Sequence, residues 1–561
     1  MEDLRATAER WLADDPDPAT QAELRTLLDG LPATAAELAD RFAGPLTFGT
    51  AGLRGPMRAG PNGMNLAVVR AAAAGLMAWL SSRDAGGLVV IGYDARHHSR
   101  DFAIETARVV RGAGRPALLL PRALPTPVLA HAVLRLGAAA GVMVTASHNP
   151  PRDNGYKVYL GAGLGGPGGD GAQIVPPADT GIEASIRAIT ALADVPLRDD
   201  YEVADEAVVE SYVEGARTVL DTSQVDDAHR AELVIAYTPM HGVGAAVLTD
   251  TFTRAGFTAP VTVPEQVAPD PDFPTVAFPN PEEPGATDLL LRTAAAAHAD
   301  IAIANDPDAD RLAVGIPTAA GWRMLRGDEV GVLLADHLMR RGTPGCYATT
   351  IVSSSMLRAL ASARGVACAE TLTGFKWIVR AATLPADGFD PANSDLAYGY
   401  EEALGYCVAP GHVRDKDGIT AALLMAELAA GLKAELRGLG DRLDELAREL
   451  GVFATDQISV RVSDLGAIAE LMELVRAKPP ASLLDEPVTE VEDRAPDADV
   501  VTLRTATVRV VVRPSGTEPK LKIYLEVREP VQGDDDLPPA RERAAASLTA
   551  LRTEVATLLG L

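Results

Sequence analysis

IAIANDPDADR, residues 301–311, reads as a short buried strand that runs directly into an acidic loop. Unbroken apolar character over a few residues marks a strand covered on both faces. Asp306, Asp308 and Asp310 then alternate along the loop, and Arg311 closes it. In an open α/β sheet, the carboxyl ends of the strands are where ligands bind. The same strand-then-polar-loop pattern recurs in LVVIGYD (88–94), GVMVTASHN (141–149), LVIAYTPMHGVG (233–244) and YATTIVSSSMLRAL (347–360), with a further short strand at ALLL (117–120). Helix-patterned stretches lie between them, such as ARHHSRDFAIETARVVRGAG (95–114), with Gly112 and Gly114 near its stop. Strands with helices between them predict parallel α/β sheets.

The tail differs. QISVRV (457–462), TVRVVVRPSGTEPK (507–520) and LKIYLEV (521–527) alternate like antiparallel strands, and a helix pattern follows over 540–561. A separate α+β unit is therefore expected from about Gly451. GAGLGGPGGDGAQIVPP (161–177) reads as a flexible surface excursion. The proline-rich run 264–286 cannot be regular structure, and a long loop in a compact domain is often functional.

Composition narrows the function classes. At roughly 100–200 residues per domain, 561 residues correspond to three to five domains. A 47% hydrophobic fraction supports large cores. The 77 acidic residues against 51 basic ones, a net charge of −26, argue against nucleic acid as a partner. A local basic cleft for a small anion stays compatible with that balance. Cys346, Cys368 and Cys407 lie too far apart in sequence for a zinc motif and read as buried thiols of a reducing compartment. The acidic, helix-patterned start has no signal-peptide pattern, and no apolar run reaches the roughly 18 residues of a membrane span. A cytoplasmic protein with no membrane partner is the expectation.

Five loops carry chemistry. The carboxylates of DPDADR suit a hard cation such as Mg²⁺ if the loop curls; otherwise they form a solvated acidic turn. EF-hand spacing fails, because Arg311 and Pro317 stand where Gly and Glu are needed. TASHNP (145–150) puts Ser147 beside His148 after a strand, without the G-x-S-x-G elbow of a hydrolase. Read alone, it is equally an ordinary capped turn. RPSGTEPK (513–520) packs Arg513, Ser515, Gly516 and Thr517 into one loop that suits a phosphate dianion; read as structure alone, it is a hairpin-type turn with Pro and Gly. GYEEALGY (399–406) offers Glu401 and Glu402 to sugar hydroxyls, with VRDKDG (413–418) following, although acidic pairs are common on surfaces. TLTGFKWI (371–378) places Gly374 and Lys376 in an apolar setting, where Lys376 could equally be an exposed lysine.

These loops, in this order, resemble the α-D-phosphohexomutase superfamily, from FGTAGLRG (48–55) to RPSGTEPK. The resemblance implies a four-domain, heart-shaped α/β architecture: three similar α/β domains plus a small C-terminal α+β domain. Boundaries are expected at 1–205, 206–322, 323–450 and 451–561. It further implies that Ser147 carries a phosphoryl group, with His148, Lys157 and Arg54 beside it. Asp306, Asp308 and Asp310, with a phosphoserine oxygen of Ser147, would hold one Mg²⁺ per active site. Arg311, Gly374, Lys376, Glu401, Glu402, Arg513, Ser515, Gly516, Thr517 and Lys522 would bind the phosphosugar, with Lys520 in reserve. The implied activity moves a phosphoryl group between two positions of a sugar through a sugar bisphosphate, which also serves as activator. Glucose 1-phosphate and glucose 6-phosphate rank first as substrates, then mannose and pentose phosphates, in a monomer or homodimer. One position departs from the pattern: Ala403 stands where many members carry Ser, as in the branch that includes phosphopentomutases. Two rivals are a Mg²⁺-dependent phosphatase, which would have little use for TASHNP or RPSGTEPK, and a sugar-phosphate-binding regulatory protein, which would not need Ser147 or the three aspartates.

Overall fold

A computed structural model describes residues 2–49, 52–223, 225–383, 395–461, 465–514 and 520–560. The N-terminal pattern forms three helices, Glu2–Asp14, Pro18–Asp29 and Ala35–Arg41, which pack on one another through Ala8, Leu24, Leu28 and Leu38. Each of the next three units is built on its own sheet.

In the first sheet the strand order is Leu53–Pro56, Asp153–Leu160, Ala140–Val144, Val89–Tyr93, Ala117–Leu119 and Glu202–Val203. The second runs Gly321–Met324, Ala313–Thr318, Ile301–Ala304, Ile235–Thr238 and Val261–Thr262. The third runs Cys368–Thr371, Cys346–Thr350, Leu396–Glu401 and Gly405–Cys407. The expectation of parallel sheets needs correction at one edge of each. Asp153–Leu160, Ala313–Thr318 and Gly405–Cys407 return antiparallel to their neighbours. The reason is connection length: the loops TASHNP, DPDADR and the turn after Glu401 are too short for a crossover helix, so the chain turns back beside the strand it left. Each chemical loop is thereby pinned at both ends by its sheet.

Helix Gly418–Ala434 is apolar all round and almost wholly buried, as a helix at the centre of several layers must be. Its N-cap is Asp417, whose side chain accepts from Ile419 N and Thr420 N at 3.0 and 3.1 Å, a cap worth about 1 kcal/mol. Tyr212 donates to the same carboxylate at 2.8 Å, tying the cap to the second unit.

The tail is an antiparallel sheet in the order Val452–Arg461, Lys520–Glu529, Val508–Pro514, Val501–Arg504 and Glu490–Asp493, with helix Leu537–Leu558 packed on it. It docks on the third unit through Ile351, Val352, Val500, Val511 and Tyr524. Glu526 accepts from Ser355 N and Oγ at 2.8 and 2.6 Å, and Arg509 donates to the carbonyls of Ile351 and Ser353. Among the described residues no helix is long and apolar enough to cross a membrane.

The segment 161–177 is not a free excursion. Asp170 accepts from Gly163 N and Gly165 N, and Ala172 is buried in the core of the third unit with Phe375, Ile378 and Val379. Turn-forming residues report backbone preference, not the partner the turn packs against.

Candidate active site

The site is assembled where the loops of the first three units meet. Ser147 sits at φ 53°, in the left-handed region that non-glycine residues rarely adopt, at a cost of about 1–3 kcal/mol. Two contacts hold it there. Its N–H donates to Thr145 Oγ1 at 2.9 Å, and Thr145 Oγ1 donates to the buried Asp94 carboxylate at 2.6 Å. Arg96, 4% exposed, donates to the carbonyls of Ser147 and Asn149 at 2.6 Å each, and to those of Pro150 and Asp153 at 2.8 and 3.1 Å. Arg96 is available because the expected helix at 95–114 begins only at Ser99. Asp94 accepts from Arg96 N and Ser99 Oγ, and His98 at φ 60° breaks the helical path before it.

The Ser147 hydroxyl donates to Asp306 Oδ2 at 2.8 Å and lies 3.1 Å from His148 Nδ1. The two residues read as adjacent in sequence are thus adjacent in chemistry. Burial, together with Arg311 and Arg54, holds His148 well below the usual imidazole range, so it is a neutral base near pH 7. Arg54, on the strand beside Asp153–Leu160, donates to Asn149 Oδ1 at 3.0 Å and faces the charges of Asp308 and Asp310.

The DPDADR loop does curl. Ala309 takes φ 53°, and one oxygen of each of Asp306, Asp308 and Asp310 falls within 4.8 Å of the others. All three are at most 1% exposed. Arg311 N donates to Asp306 Oδ1 at 3.1 Å and Thr126 Oγ1 to Asp308 Oδ2 at 2.7 Å. Lys157 Nζ reaches Asp308 Oδ2 at 2.7 Å and Asp310 Oδ2 at 3.0 Å, while Lys416 Nζ lies 3.3 Å from Asp310 Oδ2. Burial next to two like charges raises Asp306 well above the carboxylate range. Burial is the largest influence on Asp308 and Asp310 and pushes both up, but Lys157 and the Thr126 hydroxyl at Asp308, and Lys157, Lys416 and Arg311 at Asp310, together bring both below their ordinary values. Asp308 Oδ1 and Asp310 Oδ1 are buried with no hydrogen-bond partner. Orphaned carboxylate oxygens in a buried all-oxygen cluster fit a hard divalent cation.

The residues expected from the sequence to bind a phosphosugar come from the second and third units and the tail. Glu401 ends the strand Leu396–Glu401. Burial pushes it up to about 7 against the opposing charge of Lys416. Glu402 is committed to its own domain, accepting from Ser353 Oγ at 2.8 Å and Thr350 Oγ1 at 3.3 Å. Gly374, at φ 110°, starts the short helix Phe375–Ile378, which carries Lys376. Burial lowers Lys376 to about 8, with Asp179 and Glu401 opposing. Arg311 Nη1 lies 3.5 Å from Glu282 of the proline-rich loop. Arg513 and Lys522 are register partners on neighbouring strands, and Arg513 donates to Tyr524 Oη at 3.4 Å. Ser515, Gly516 and Thr517 lie outside the described residues.

All four domains are matched in order by family descriptions: "Phosphoglucomutase/phosphomannomutase, alpha/beta/alpha" domains I, II and III over residues 45–193, 210–319 and 326–450, and the C-terminal domain over 458–535. The chain belongs to the phosphoglucomutase/phosphomannomutase family. It is a phosphosugar mutase of the four-domain phosphohexomutase architecture. It is 45% identical over 476 residues to a probable phosphomannomutase of Haemophilus influenzae, covering 83% of this chain and 93% of that one. It is 33% identical over 567 residues to a probable phosphoribomutase of Schizosaccharomyces pombe, covering 94% of each. Among solved structures, a putative phosphomannomutase of Thermus thermophilus superposes with a TM-score of 0.68 at 26% identity, over 90% of this chain and 99% of that one.

Sequence reasoning passed over Asp94, Arg96, Thr126 and Lys416. Arg96 lay inside a stretch read as helix, and Lys416 inside VRDKDG. The one available signal was a cluster of charges next to a helix start, and it does not say which neighbour receives them.

Proposed function

We propose that the chain interconverts the 1-phosphate and 6-phosphate of a hexose, glucose first, with Ser147 as the phosphoryl carrier. The observation that carries this reading is the Ser147 hydroxyl, 2.8 Å from Asp306 and 3.1 Å from a neutral His148, beside three converging carboxylates. A phosphoserine there would donate to the free hydroxyl of a sugar monophosphate: the new O–P bond forms as the Ser147 Oγ–P bond breaks. The resulting bisphosphate turns around, and its other phosphoryl group returns to Ser147.

In this scheme His148 takes the proton of the attacking sugar hydroxyl and delivers it to the departing Ser147 oxygen; in the second transfer it takes the proton of the Ser147 hydroxyl and delivers it to the departing sugar oxygen. Asp306, Asp308 and Asp310 would hold Mg²⁺, which when bound offsets negative charge on the transferring group. Arg54 and Lys157 add fixed positive charge beside the same group. Glu401 accepts hydrogen bonds from sugar hydroxyls, with Lys376 close to it. Arg513 and Lys522, with Ser515, Gly516 and Thr517, grip the phosphate that is not transferring, and the remote grip orients the sugar.

A second reading is pentose 1-phosphate and 5-phosphate. Ala403 favours it, because the sugar has one hydroxyl partner fewer than in members with Ser there. The S. pombe relative, matched over 94% of each chain, is called a probable phosphoribomutase. Initial rates with Mg²⁺ and a trace of the matching bisphosphate, on glucose, mannose, ribose and deoxyribose 1-phosphates side by side, separate the two. A hexose preference supports the first reading. A pentose preference replaces it while leaving the role of Ser147 intact.

A further inference from the structure

The glycine-rich segment of domain I has no part in the chemistry above, yet it reaches into domain III at two points. At the first, Arg380 Nη1 donates to the carbonyl of Lys376 at 2.6 Å, and Nη2 donates to the carbonyls of Gly165 and Gln173 at 3.2 and 3.3 Å. Arg380 is 7% exposed. Burial, with Arg414 nearby, lowers it to about 10. At the second point, Gln173 Nε2 donates to Asp415 Oδ2 at 2.8 Å, and Tyr159 Oη donates to the same oxygen at 2.7 Å. Asp415 is followed by Lys416, whose ammonium lies 3.3 Å from Asp310.

The segment is shaped for the first contact. A Cβ on Gly169 would stand 2.4 Å from Arg380 Nη2 and 2.1 Å from the Gly165 carbonyl, so only glycine lets the guanidinium lie against the backbone. Ala172 seals the junction from water within the apolar core of domain III. A buried guanidinium is an expensive way to join two domains, and well-packed apolar side chains would hold them at least as firmly. What the planar fork adds is direction: donors fixed in one plane set the position of the carbonyls they meet. One of those carbonyls is that of Lys376 itself.

We propose that Arg380 and Gln173 are positioning residues: the glycine-rich segment clamps domain III so that Lys376 is presented to the phosphosugar, and Lys416 to Asp310, at fixed positions. The inference rests on the reading of Lys376 as a substrate-binding residue. It assigns a role to the segment 161–173.

Steady-state kinetics on Arg380→Ala, Lys376→Ala and the double variant test it, with thermal unfolding of each. Arg380→Ala is expected to raise KM for the sugar monophosphate about tenfold, the loss of one well-oriented charged contact, with a smaller change in kcat. In the Lys376→Ala background the same change is expected to have little further effect, because Arg380 acts through Lys376. Additive losses, or an unchanged KM in Arg380→Ala, would overturn the proposal. A silent Lys376→Ala would instead remove the site reading beneath it. Should Arg380→Ala fail to fold, Gln173→Ala carries the test: a raised KM with an unchanged melting midpoint supports the clamp, and an unchanged KM refutes it.

Discussion

Replacing Lys157 with Met should make the stability of this protein depend on a divalent cation. Lys157 is 5% exposed and lies 2.7 and 3.0 Å from two carboxylates that are at most 1% exposed. At an effective dielectric near 20, each contact is worth roughly 6 kcal/mol of Coulomb attraction, most of it cancelled by the desolvation of three ions. Methionine keeps the length and packing of the stem but leaves Asp308 and Asp310 facing each other without the ammonium. Removing one partner from such a buried set costs about 3–5 kcal/mol. For a domain of 150–250 residues, each kcal/mol moves the unfolding midpoint by about 2–4 °C. Calorimetry of wild type and Lys157→Met, in chelator and in millimolar Mg²⁺, reads this directly. The expected result is a large loss in chelator and a substantial recovery in Mg²⁺, since a cation bound by the same oxygens replaces the missing charge. The same loss in both conditions would refute the placement of the cation among Asp306, Asp308 and Asp310.

Three further expectations can be checked together. Glu401, raised by burial to about 7, should bind sugar best as the carboxylate, so KM should fall as pH rises through about 7. Because its folded value lies above the unfolded one, its contribution to stability is lost over the same rise. Glu401→Gln should flatten the KM profile and raise KM at least about tenfold, as loss of a charged hydrogen bond requires. Thr145→Val strands Ser147 N and one Asp94 oxygen, at about 1–3 kcal/mol for each group, so kcat should fall on the order of 10–100-fold with a lower melting midpoint. Ala403→Ser restores a hydroxyl at the sugar loop and should shift the ratio of hexose to pentose kcat/KM about fivefold towards hexose.

The parts of the site legible in the sequence are those in which one short stretch carries both backbone cue and chemistry. In IAIANDPDADR the apolar run sets the strand, and the alternation of Asp306, Asp308 and Asp310 gives carboxylates that one curl brings together. Ser147 and His148 likewise follow their strand directly. Illegible were the groups delivered from elsewhere. Thr126 reaches Asp308 across 182 positions, and Arg96 reaches Ser147 across 51. No periodicity encodes such a meeting; it follows from which strands become neighbours. The glycine-rich segment failed for a different reason. Its composition reads as a flexible surface excursion, but glycine is also what a backbone needs when a buried guanidinium lies against it.

The most direct test of the account is whether Ser147 accepts a phosphoryl group. Intact-mass and peptide-level spectrometry of the protein, before and after incubation with glucose 1,6-bisphosphate and Mg²⁺, would locate the modification. The account predicts one added phosphoryl group per chain, on Ser147, discharged by excess sugar monophosphate, and neither modification nor turnover in a folded Ser147→Ala variant. A phosphoryl group on Asp306 or Asp308, or full turnover by Ser147→Ala, would contradict it.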